Sequence, residues 1–158
     1  MNAIDYLDQV VSPSLEEAQN EPLSMHRVLT LVAVVDAFAA RVFQHRSDNG
    51  PAVDFPKDMN NPDDTAYREL LSRSSESFRL FRDLAKSQKH ARLTHGSPKV
   101  TGADQTNVKS LGYGQGGYGE GPYGGGEQIV VTSNDGTIRN VISLCEVALD
   151  LLKSELQK

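Results

Sequence analysis

Between Val28 and Phe43 the chain is apolar on nearly every side of a helical wheel. Val28, Leu29, Leu31, Val32, Val34, Val35, Phe38, Val42 and Phe43 are interrupted by Thr30, Asp36 and Arg41. A helix of this kind needs neighbours around its whole circumference. The interruptions leave it short of the roughly 20 apolar residues of a membrane span, so the expectation is the central, buried helix of a soluble protein, with no membrane involved. Asp36 stands midway along it. A carboxylate there must be paired, protonated or exposed. The candidate roles are a polar contact with an arginine or histidine from the third helix, an exposed strip, or an acid or base at the mouth of a cavity.

Three further helical stretches are available to enclose this one. The first covers about Asn2 to Asn20, with Ile4, Leu7, Val10, Val11, Leu15 and Ala18 at helical steps; Pro13 forces a break or a fresh start, with Ser12 as a candidate N-cap. The enclosed helix itself is expected over about Ser24 to Arg46, followed by a proline- and aspartate-rich connection, Ser47 to Pro62. A third helix is expected to start near Asp63 or Asp64 and to continue to about Leu93, about 45 Å if unbroken, with Ala66, Leu70, Phe81, Leu84 and Ala85 on its core side and Tyr67 and Phe78 at the margin. Gly96 and Pro98 end it. The last helix has Ile138, Val141, Ile142, Cys145, Ala148, Leu149 and Leu152 at helical spacing. One reading begins it at Ile138, capped by Thr137 or Asp135; another makes Thr137 to Ile142 the second arm of a hairpin turned at Asn134-Asp135-Gly136 and starts the helix near Ser143. Gln128 to Thr132 is a β-branched run that pairs with Asn107 to Leu111 in the expected small sheet.

Glycine separates those two strands. Nine of the thirteen glycines lie between Gly112 and Gly126, in a tract that repeats Tyr-Gly at five-residue intervals, at Tyr113, Tyr118 and Tyr123. Such a segment contributes no packed core. Its tyrosines read as partner contacts on a flexible arm, or the tract is a spacer. The fold class that follows is mainly α, a four- or five-helix up-and-down bundle with a small antiparallel β element near the C-terminal helix. At 158 residues it forms a single domain over 1–158, with a Gly/Tyr-rich loop at about 96–127.

Charge is unevenly placed. Residues 1–64 carry a net −7, residues 65–110 a net +5 and residues 111–158 a net −3, within a chain of net −5. On a continuous third helix Arg68, Arg79, Arg82, Lys86, Lys89 and His90 share one sector, roughly opposite the apolar stripe, beside an acidic stripe of Glu69, Glu76 and Asp83. The sector reads as an anion or nucleic-acid surface, or as a solvated face laced by pairs such as Glu76 with Arg79 and Asp83 with Lys86. The acidic whole weakens long-range attraction to nucleic acid.

Several chemistries lack their residues. His26, His45, His90 and His95 never stand at i, i+4 and form no HExxH motif, so no metal is expected and no cofactor. The one cysteine, Cys145, sits at an apolar position and reads as core. There is no GxSxG elbow and no GxxxxGK loop; the GxGxxG from Gly114 to Gly119 lacks its strand and helix. The N-terminus, with Asp5 and Asp8 and no basic run, does not read as a secretory signal, and the expected location is cytoplasmic.

The run Arg82-Asp83-Leu84-Ala85-Lys86-Ser87-Gln88-Lys89-His90-Ala91-Arg92-Leu93 resembles the R-D-x-A-x-x-x-K-H-x-x-L stretch of some bacterial helical proteins, which in turn resemble the HEPN group of nucleotide- or RNA-associated bundles. The resemblance implies an up-and-down bundle, often dimeric, and in its ribonucleases an arginine separated from a histidine by four to six residues on a late helix. Here seven residues separate Arg82 from His90. Lys86 lies one turn before His90 but cannot reproduce the arginine fork. Two functional expectations result. One is a non-enzymatic interaction module of bacterial or phage type, self-associating through an apolar helix face. The other is a divergent HEPN-like RNA-binding protein or ribonuclease using Arg82, Lys86 and His90, with His90 as acid or base.

Overall fold

The computed structural model describes residues 1–59, 62–110 and 126–158. The chain is mainly helical, with a three-stranded antiparallel sheet beside the C-terminal helix. It opens with α1 (Ala3–Tyr6), capped by Asn2, whose Oδ1 accepts from the Asp5 amide at 2.9 Å. A π-helical turn (Leu7–Val11) leads directly into α2 (Ser12–Asn20). Pro13 therefore neither breaks the helix nor starts a new one. Its missing N–H falls in the first turn after a widened one, in which the Ser12 amide reaches back to Leu7 O. Ser12 itself has helical angles and is not an N-cap.

The apolar run forms α3 (Met25–Asn49), with Ser24 capping its start. By length and composition alone α3 would cross a membrane. Within the chain its Val28, Leu31, Val32, Val35, Phe38, Ala39 and Val42 are buried. The helix is touched by α1 and α2 and by α4 (Asp64–Ser74), α5 (Glu76–Lys89) and α6 (Val141–Leu156). Tyr6 stacks on Phe38, and Phe43 meets both Tyr67 of α4 and Phe55 of the preceding connection.

The third helix is not continuous. It divides at Ser75, which is extended (φ −140°, ψ 113°) and accepts from the Phe78 amide at 3.1 Å as the N-cap of α5. Ser74 Oγ donates to Leu71 O at 3.0 Å, so adjacent serines compete with the helical ladder at the break. The division rotates α5 against α4. Tyr67 and Phe78, marginal on a continuous wheel, are among the most buried side chains, while Leu70 is only partly covered. α5 ends at Lys89, earlier than the expected Leu93.

A 3₁₀ turn (Ala103–Gln105) introduces β1 (Thr106–Ser110), which pairs antiparallel with β2 (Glu127–Thr132) in the register Thr106 to Val131 and Ser110 to Glu127. The Asn134-Asp135-Gly136 turn, with Gly136 at φ 86°, returns the chain as β3 (Ile138–Asn140). The hairpin reading is the one adopted, with a shorter arm. Asn140 Oδ1 accepts from the Ser143 amide at 3.0 Å and starts α6 at Val141 rather than Ile138. Ile129, Val131, Leu144, Cys145, Ala148 and Leu152 join the core of α3, α4 and α5. Burial pushes the Cys145 thiol well above its ordinary pKa, which keeps it protonated. The tyrosines Tyr113, Tyr118 and Tyr123 lie outside the described residues.

Candidate anion-binding site

Two carboxylates inside the bundle are saturated with cations. Asp36 of α3 meets Arg68 Nε of α4 at 3.1 Å and Lys89 Nζ of α5 at 2.5 Å. Arg68 also donates to Asp36 O at 2.9 Å and pairs with Asp64 at 2.5 Å. Glu155, near the end of α6, accepts from Arg46 of α3 at 2.5 Å, with the Tyr67 hydroxyl at 3.4 Å and Lys158 Nζ at 2.5 Å on the other carboxylate oxygen. Both arms of each carboxylate are engaged. These contacts pin α3 to α4, α5 and α6, and they remove Arg68 and Lys89 from the basic sector.

The rest of that sector faces a cleft of about 610 Å³. One wall is the outer face of α5 with the adjoining end of α4. The other is the segment 90–98, a strap that leaves the C-terminus of α5 and doubles back along it. The strap is tied at several points. Arg79 Nη2 donates to Ser97 O at 2.8 Å, the Leu93 amide donates to Thr101 O at 2.8 Å, and the Lys99 amide donates to the buried Asp83 carboxylate at 2.7 Å. Gly96, at φ 75°, makes its turn. Val100 is fully buried just beyond.

Arg79, Arg82, Lys86 and His90 come together in this cleft, as the spacing on one helix face requires. Arg73, Arg92 and His95 join them from outside the expected set. The acidic stripe lines the same space, but its groups are already occupied. Glu69 pairs with Arg82 and lies 3.8 Å from Arg73, while Glu76 pairs with Lys99. Among the described residues the expected helix-surface ion pairs, Glu76 with Arg79 and Asp83 with Lys86, are not formed; Lys99 gives its ammonium to Glu76 and its backbone amide to Asp83.

That leaves a surplus of positive charge. Lys86 is half-buried and, among the described residues, has no ion-pair or hydrogen-bond partner; burial and the neighbouring Arg82 charge hold its pKa below the ordinary lysine value. Arg92 and His95 are exposed on the strap and make no ion pair among the described residues. Arg79 spends one nitrogen on a backbone carbonyl and, among the described residues, meets no carboxylate at ion-pair distance. Of the lining side chains, Arg73, Arg79, Arg82, Lys86 and Arg92 are cationic and Glu69, Glu76 and Asp83 anionic, a net of +2 with both histidines neutral. Among the described residues no group of three or more His, Cys, Asp or Glu side chains is placed to hold a metal.

Arg92 and His95 belong to no periodic pattern, so only the Gly96-Ser97-Pro98 turn hints that the chain folds back there. No family model, curated protein or solved structure matches the chain.

Proposed function

We propose that the chain is a non-enzymatic helical binding module that takes an anionic partner in the cleft between α5 and the strap. The observation that carries this reading is Lys86. A half-buried ammonium without a counter-ion costs stability, and carboxylates stand nearby, yet Glu69 and Glu76 are committed to other cations and Asp83 to the Lys99 amide. A bound anion would supply the missing charge. The test is titration of the full chain with phosphate-bearing and sulfate-bearing probes at low and high salt. Binding is expected to weaken as salt rises and to be lost in Lys86→Met, because the attraction is screened and the central cation is gone. Salt-independent binding, or binding that survives the substitution, sinks the proposal.

A second reading, an RNA-binding relative of the HEPN group, is favoured by one observation: Arg82, Lys86 and His90 line the same cleft. Against an RNA-cleaving role, the Arg82 guanidinium is already held by Glu69 and is only 11% exposed. Single-stranded RNA binding at low salt that disappears in the double variant Arg82→Ala, Lys86→Ala would support it. No binding would remove it.

A further inference from the structure

Resting on the anion-binding reading, we infer that the ligand of the cleft is a small phosphorylated sugar or polyol, held through a single phosphate monoester. Three features of the site converge on that class.

The first is charge. The surplus of two positive charges on the lining side chains equals that of one phosphate monoester, which carries about −1.5 to −2 near neutral pH. A nucleic-acid strand would bring further phosphates to a surface where Glu69, Glu76 and Asp83 are interleaved with the cations and where the whole chain is net −5. One dianion is matched; a row of them is not.

The second is size. A space of about 610 Å³ lies within the range of pockets that take small organic ligands, roughly 300 to 1,000 Å³, and is far larger than a bare phosphate needs. The strap, bonded to α5 through Arg79 and Asp83, bounds it on one side.

The third is the chemistry of the walls. No Phe, Tyr or Trp lines the cleft among the described residues, so an aromatic platform for a base is missing. Ser72, Thr94 and Ser97 line it instead, with carboxylate oxygens of Glu69 and Glu76 that can accept from hydroxyl groups. Lys86, Arg79 and Arg92 would meet the phosphate, and the interleaved hydroxyl and carboxylate groups would meet the polyol. The interleaving that makes the cleft poor for a strand suits a ligand with one anionic end and one hydroxylated end.

The experiment is calorimetric titration of the full chain with glucose 6-phosphate, glucose, inorganic phosphate and a short oligouridylate. Glucose 6-phosphate is expected to bind one per chain, more tightly than inorganic phosphate, and glucose not at all. Lys86→Met should abolish it, and Arg92→Ala should weaken it by at least about tenfold. Lys57→Ala, outside the cleft, should leave it unchanged. Arg92 is exposed and unpaired among the described residues, so its variant keeps the fold, and melting curves verify this for both. Equal affinity for glucose 6-phosphate and inorganic phosphate overturns the sugar or polyol assignment. Binding of oligouridylate alone overturns this inference while leaving the anion-binding reading intact. Failure of every anion to bind removes both.

Discussion

The interior of the bundle and the cleft beside α5 use the same kinds of side chain to opposite ends. Inside, Asp36 and Glu155 each collect cations until every carboxylate oxygen is met, and the helices carrying those cations are drawn together. In the cleft the carboxylates are met as well, but cations remain over, and Lys86 stays half-buried without a partner. A saturated network holds elements in register. An unsaturated one carries a cost in the free protein that a ligand can offset. The difference separates a structural charge cluster from a binding one more clearly than the number of charges does.

Removing a partner should hurt the saturated networks most. Glu155→Ala strands Arg46, which is 11% exposed, and is expected to cost about 3 to 5 kcal/mol in chemical denaturation. Replacing both partners, Arg46→Met with Glu155→Leu, should recover most of that, since an apolar pair leaves no charge behind. A loss under about 1 kcal/mol for Glu155→Ala alone would break the comparison. Asp36→Ala should cost somewhat less, because Arg68 keeps Asp64 and Lys89 is more than half exposed. About 2 to 3 kcal/mol is expected from the same measurement.

The cleft should behave in the contrary sense. Lys86→Met is expected to leave stability unchanged or to raise it, by less than about 1 kcal/mol, while removing anion binding. The sign follows from its pKa, which burial and Arg82 lower in the folded chain. Below that lowered value the charged lysine opposes folding. As pH rises through it toward the ordinary 10.5, the folded protein sheds the proton first and gains stability relative to the unfolded chain. The parent should therefore show this alkaline gain and Lys86→Met should lack it, as read from melting temperature against pH. A substantial destabilisation by Lys86→Met would place this lysine with the structural networks.

The smallest effect belongs to Asp135, an exposed carboxylate held down to about 2 by the Ser133 hydroxyl and the Thr137 amide. Its contribution is fully present above the ordinary 3.8 and is lost as pH falls toward 2. Asp135→Asn should slightly flatten the acid limb of the stability profile and leave the cleft untouched.

What could be read in the sequence depended on how local the signal was. The enclosed α3, the two long strands and the Asn-Asp-Gly turn follow from contiguous residues, and Asp36 stands out because its neighbours are apolar on both sides. Glu155 gives no such sign. It occupies the last turn of an amphipathic helix, where an acidic residue looks like ordinary surface, and its partner Arg46 is 109 residues away. The break at Ser75 is hidden for a different reason. The periodicity on either side is helical, and only the serine pair hints that local hydrogen bonds win. That one break misassigned Arg68 to the outer sector. The strap escaped notice because its course is fixed by contacts with α5 and the hairpin rather than by any periodicity of its own.

Those contacts also connect the cleft to a distant part of the chain. The Asn134 amide donates to Lys99 O and its side-chain amide to Pro98 O, each at 2.8 Å, so the turn between β2 and β3 grips the far end of the strap. Both bonds hold the far end of the strap independently of its bonds to α5. Hydrogen exchange at the Asn134 amide therefore reports how firmly the hairpin turn holds the end of the strap, at a residue outside the cleft lining.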